Sequence, residues 1–306
     1  WERSRLAALY ALAQGEAPLV VATADGLMAR TLPPETLRSL ALTLEVGEQA
    51  DLGQLTERLL SAGYTRCEQV EGVGQFALRG GILDVFSPLM DQPVRCEFFD
   101  DEIDSMGTFD PGTQRRTKNV SSARILPAAE VLPHCAPGGL PGLAEQLAAL
   151  AEKLAKKQKT EAIVQTLRED AERLRSGAAL GAADRYLAAI YPEVTAGVHY
   201  LPPDAVVFLS ESGRVDERVK NTVLQQKQDV EALLSAGVLA GDHAHLTLTA
   251  EELYAALEEF PVILEDSLPT SRHPLRPRGL LTMNAKQLSS YGGSLETAVT
   301  DLEHYR

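Results

Sequence analysis

Four side chains suited to recognition share one phase of a strand-like pattern in residues 74–117, GQFALRGGILDVFSPLMDQPVRCEFFDDEIDSMGTFDPGTQRRT. Arg95, Glu97 and Phe99 alternate with Val94, Cys96 and Phe98, and Arg79 follows Leu78 in the same manner. Successive strand residues point to opposite faces, so if the apolar set turns inward, Arg79, Arg95 and Glu97 share the outer face. Two guanidiniums form a planar, fork-shaped donor surface, with a carboxylate acceptor beside them. Phe99 at the strand end adds an apolar anchor, and arginine with an aromatic is the usual composition of an interface hot spot. This is the chemistry of binding rather than of bond breaking. The same residues on a solvated sheet would make cross-strand ion pairs of little worth, and the pattern by itself favours that plainer account.

Other candidate chemistry is sparse. A phosphate-cradling loop needs a Gly-rich run ending in GK[ST]. Gly72-Val73-Gly74 and Gly80-Gly81 lack the lysine and read as tight turns. His243-Ala244-His245 could offer two rings to a metal but has no further ligand nearby, and His134-Cys135 precedes a Pro/Gly stretch; both read as loops. Asp100-Asp101-Glu102 reads as a solvated turn, and no serine lies in a GxSxG elbow.

The chain has 306 residues, 44% hydrophobic and 24% charged, which suits a soluble globular protein of two or three domains. Its net charge of −14 gives it little to gain from neutralising phosphates. A local patch at Arg115, Arg116 and Lys118 keeps a DNA-binding module as an alternative. Cys67, Cys96 and Cys135 are odd in number, widely spaced and without a CxxC, which favours a reducing cytoplasm over a disulfide framework or zinc site. No apolar run is long enough to span a membrane, and the first residues lack signal-peptide organisation. The chain opens on Trp1 without an initiator Met, which reads as part of a longer protein.

Periodicity predicts a helix over 3–14 and a buried strand at Pro18–Thr23 (PLVVAT). A helix capped by Asp25 follows around 27–31, then a strand at 41–46 and a helix at 54–62. From Tyr64 to Leu132 the period is two, broken by the turn Asp110-Pro111-Gly112; short strands after one helix predict a compact α+β module. Residues 135–142 (CAPGGLPG) read as a linker. Leu143, Leu147, Leu150 and Leu154 open a helical stripe that Ile163, Leu167, Ala171 and Leu174 continue, with Gly177 as its stop. Ala205–Leu209 (AVVFL) reads as a buried parallel strand, 215–236 and 250–259 as helices, 262–264 as a strand, 272–279 as a loop, and 295–299 as a helical start.

Gln75–Phe86 (QFALRGGILDVF), then Pro93–Ile103 (PVRCEFFDDEI), Phe109-Asp110-Pro111 and Gln114-Arg115 resemble, in order, the module shared by the bacterial Mfd and UvrB families. Mfd proteins couple transcription to repair, and UvrB verifies damage in nucleotide excision repair. Residues 183–215 resemble Mfd as well, with Ser210-Glu211-Ser212 where that family has an acidic pair derived from a helicase motor. Losing the aspartate removes a metal-binding carboxylate and argues against ATP hydrolysis by these residues. The resemblance implies an α/β fold: a degenerate, helicase-like parallel sheet layer without an ATP site, carrying an inserted α+β UvrA-binding module. The implied domains are 1–44 and 134–283 for the helicase-like layer, 45–133 for the module, and 284–306 for the start of a following domain. The resemblance further implies a non-catalytic platform, itself without cofactors, that binds UvrA through Arg79, Arg95, Glu97 and Phe99. RNA polymerase and DNA contacts, and an ATP- and magnesium-dependent motor, would lie elsewhere in a full-length protein, whose C-terminal domain could mask this face. The alternative is a fragment of an active ATP-dependent, UvrB-like repair enzyme.

Overall fold

The period-two stretch forms a sheet whose central strands bury one side against a helix. The computed structural model describes residues 2–157, 160–268, 272–283 and 295–304. In chain order its elements begin with α1 (Glu2–Ala13), α2 (Ala24–Met28), α3 (Pro34–Leu40), β1 (Leu42–Glu45) and α4 (Leu52–Ser61). Six strands follow: β2 (Thr65–Arg66), β3 (Gln75–Arg79), β4 (Ile82–Val85), β5 (Val94–Phe99), β6 (Glu102–Phe109) and β7 (Arg116–Asn119). After β8 (Ser122–Ile125) come α5 (Gly139–Ala155), α6 (Glu161–Arg175) and α7 (Leu187–Ile190). The last elements are β9 (Val207–Ser210), α8 (Ser212–Ser235), α9 (Ala250–Leu257), β10 (Val262–Glu265) and α10 (Leu295–His304). The chain divides into two units, Trp1–Pro274 and Leu275–Arg306, the second containing α10.

The fold is α/β. Strands β2 to β7 form one mixed sheet in sequence order, with β2 parallel to β3 and every later pair antiparallel. Its inner side (Phe76, Leu83, Val85, Val94, Cys96, Ile103 and Met106) is buried in one core with Leu55 and Leu59 of α4. Asp51 caps α4, its carboxylate accepting the Gln54 amide at 2.7 Å. The antiparallel pair β1–β8 closes this module where the chain enters and leaves it.

A second core joins α1, α3, α5, α6 and α7. Helices α5 and α6 fold back on each other, so the apolar stripe expected to run on from Leu143 to Leu174 is split into two facing stripes. Folding back lets both halves bury their leucines in one core, which a single straight helix would not. Gly177, at φ +73°, ends α6 as expected. The expected linker at 135–142 is shorter than predicted, because α5 starts at Gly139.

Two strand expectations change. Residues 18–23 form no strand, and Leu19 and Val21 are exposed. A strand needs a ladder partner, and these residues have none among the described residues. The AVVFL segment does form β9, parallel to β10, but Val206, Phe208 and Ile263 are exposed rather than buried. Helix α2 is capped by Thr23, not Asp25; the Asp25 carboxylate instead pairs with Arg218 of α8. Residues 284–294, where a further domain was expected to begin, lie outside those described.

Candidate functional site

The outer side of the six-stranded sheet is organised by a residue the pattern did not single out. Asp84 of β4 stands opposite Arg95 of β5 and Ala77 of β3. It is wholly buried. Arg95 grips it as a fork, donating Nε to Oδ1 at 2.7 Å and an Nη to Oδ2 at 2.8 Å. Arg79 donates an Nη to the same Oδ2 at 2.8 Å. Bidentate, charge-assisted bonds of this kind are the strong ones, and they satisfy a carboxylate that burial would otherwise penalise.

Arg95 is further fixed from both sides. Its guanidinium lies 4.5 Å from the centroid of the buried Phe109 ring, and it donates to the Gln114 side-chain oxygen at 3.2 Å. Gln114 turns the chain at φ +60° and donates in turn to Pro111 and Val70 carbonyls. The hydrogen bonds to Asp84 raise the Arg95 pKa above its ordinary value. Only 17% of the Arg95 side chain reaches solvent, against 44% for Arg79.

The local geometry follows from the turn residues. Gly80, at φ +59°, makes the two-residue turn that sets Arg79 opposite Ile82. Gly107 pairs with Arg95 across β5 and β6, and a Cβ there would lie 2.1 Å from the Arg116 Nε. Arg116 therefore lies across a bare glycine and approaches Glu97 at 3.8 Å. Glu97 also accepts the Ser105 hydroxyl at 2.9 Å. Phe99 ends β5 with 75% of its surface exposed, beside the Asp100-Asp101 turn.

Arg79, Arg95 and Glu97 thus share one side of the sheet, with Leu78, Val94, Cys96 and Phe98 packed on the other. The face differs from the expected open surface in one respect: Arg95 is mostly covered and spent on internal partners. Arg116, set apart in the sequence as part of a DNA patch, is drawn into the face instead. Asp84 was legible as the one acid in the apolar run ILDV at the phase of Arg79, and Gln114 carried no comparable signal.

The remaining candidates do not converge. His243 is buried edge-on against Tyr186 at 5.6 Å, where burial lowers its pKa, while His245 pairs with Glu252 at 3.2 Å. The pair is thus neither a metal clasp nor the exposed loop expected of it. Among the described residues no group of three or more His, Cys, Asp or Glu is placed to hold a metal ion. In the Ser210-Glu211-Ser212 stretch, set against the resembling family's acidic pair, Ser212 is buried and donates to Asp266 at 2.8 Å. Burial pushes the Cys96 thiol up to about 12, far from a reactive thiolate. No described helix is long and apolar enough to cross a membrane.

Residues 42–130, which contain this whole face, match the family model described as the UvrB interaction domain. Over 99% of its length the chain is 28% identical to the transcription-repair-coupling factor of Bacillus subtilis, and over 98% it is 27% identical to that of Staphylococcus aureus. The chain is homologous to bacterial transcription-repair-coupling factors over most of its length. A 129-residue stretch reaches 44% identity with the Myxococcus xanthus factor. The chain spans about a quarter of the length of the Bacillus and Staphylococcus relatives. Residues 42–130 therefore correspond to the UvrB interaction domain of such factors, a correspondence consistent with protein–protein interaction.

Proposed function

We propose that this region is the platform by which a transcription-repair-coupling factor recruits UvrA to stalled RNA polymerase for nucleotide excision repair. Arg79, Arg95, Glu97 and Phe99 form the docking face. The observation that carries this reading is a guanidinium pair held on the buried Asp84, with a three-quarters exposed Phe99 ending the strand that carries Arg95, inside the stretch that matches the UvrB interaction domain. Arg79 supplies charge-assisted donors for a UvrA carboxylate, Arg95 braces the face through Asp84, and Phe99 fills an apolar pocket. Residues 45–133 act as the UvrA module, flanked by helicase-like segments at 1–44 and 134–283, with a further domain starting at 284–306. RNA polymerase, DNA and an ATP- and magnesium-dependent motor belong to other domains of the full-length factor, and a C-terminal domain masks the face until the motor engages.

The test is calorimetry or pull-down with purified UvrA. The double substitution Arg79→Ala with Arg95→Ala should cost binding on the order of 2–5 kcal/mol, which is roughly thirtyfold or more. Binding as tight as wild type would place UvrA on another surface.

A further inference from the structure

We infer that Asp84 is the positioning residue of the docking face, orienting Arg79 so that its free edge receives one carboxylate from the partner. This inference rests on the docking role proposed above and deepens it.

Asp84 has no exposed surface, so it acts only through the side chains bound to it. Both of its oxygens are engaged: Oδ1 by Arg95, and Oδ2 by Arg95 and Arg79 together. The two arginines are not equivalent. Arg95 has Nε and one Nη on Asp84, the same Nη on the Gln114 side chain, its other Nη 3.4 Å from the Gln114 carbonyl, and its plane near Phe109. Arg79 gives Asp84 a single Nη and keeps nearly half its side chain in solvent. Its remaining donors are the ones a partner can reach.

Charge points the same way. Arg79 and Arg95 carry two positive charges against one negative on Asp84, while Arg116 and Glu97 offset each other nearby. The cluster is one negative charge short of neutral, which one partner carboxylate supplies. A long arginine free on a strand end would sample many rotamers; tethered to Asp84, Arg79 loses that freedom before binding rather than during it. Arg95 then contributes mainly by holding Asp84 in place.

The experiment is a double-mutant cycle measured as UvrA affinity on the purified protein, with thermal melting run in parallel. Asp84→Asn keeps the shape and removes the charge. It should weaken UvrA binding about tenfold in the wild-type background and cause no further weakening in the Arg79→Ala background. Arg95→Lys, which keeps the charge and loses the fork, should behave the same way, and carries the test if Asp84→Asn melts below the assay temperature. A merely structural role would lower the melting temperature in both backgrounds without this loss of additivity. Wild-type affinity in Asp84→Asn, or losses that multiply with Arg79→Ala, would overturn the inference. If Arg79→Ala itself binds like wild type, the docking reading fails first.

Discussion

Among the described residues, the two sheets that contain parallel strands behave differently. The six-stranded sheet uses both of its sides: an apolar side packed on α4 and a side whose arginines are gathered on Asp84. The β9–β10 pair leaves Phe208 and Ile263, directly paired across the two strands, open to solvent. Ion pairs on and off the large sheet differ in the same sense. Asp84 is buried and held by two arginines, whereas the Asp25–Arg218 pair between α2 and α8 is exposed on both partners. Each strand of the large sheet pairs with the next one along the chain, so core, turn and charge pattern reinforce one another. The small sheet joins segments more than fifty residues apart and has only two strands to share the load.

Three measurements can break or sharpen this contrast. The largest effect is expected from truncating the aromatic on each sheet. Phe76→Ala, at a fully buried site, should lose about 3–5 kcal/mol in a urea titration, while Phe208→Ala, 63% exposed, should stay within about 0.5 kcal/mol. Equal losses would mean that β9–β10 is as well packed as the large sheet. Next is Gly107→Ala. Its Cβ would meet the Lys118 carbonyl at 2.8 Å as well as Arg116, and only the side chain can swing away. A loss of about 1–3 kcal/mol is expected from such overpacking, together with release of Arg116 from Glu97.

The smallest effect concerns acid. Arg218 holds the Asp25 carboxyl below its ordinary value. A depressed acid stabilises the fold above its unfolded pKa of about 3.9, and that contribution disappears as pH falls through the lower folded value. Melting of the wild type and Arg218→Ala should therefore differ slightly at neutral pH and converge in strong acid. A difference that persists there would show that Arg218 acts by packing rather than charge.

How far the sequence could be read depended on the range of the interaction. The alternation within 76–79 and 94–99 is local, and it set Arg79 apart from Leu78, and Arg95, Glu97 and Phe99 apart from Val94, Cys96 and Phe98, because successive strand residues face opposite ways. The leucine periodicity of α4, α5 and α6 was likewise legible, since a helix must bury its stripe. The order of motifs from Gln75 to Arg115 was enough to point to the UvrB interaction domain.

What the sequence could not decide was what crosses over each face. Asp84 is buried beneath Arg79 and Arg95, and Gln114 fixes Arg95 from a third segment; nothing in ILDV requires that. PLVVAT has the composition of a strand, yet a strand exists only when a neighbour supplies its hydrogen bonds, and here residues 18–23 lie exposed. The sequence by itself determined which residues share a side. Only the tertiary structure decided that Arg95 is spent inward and Arg79 outward, because burial and pairing are set by chain segments that meet in space and not along the sequence.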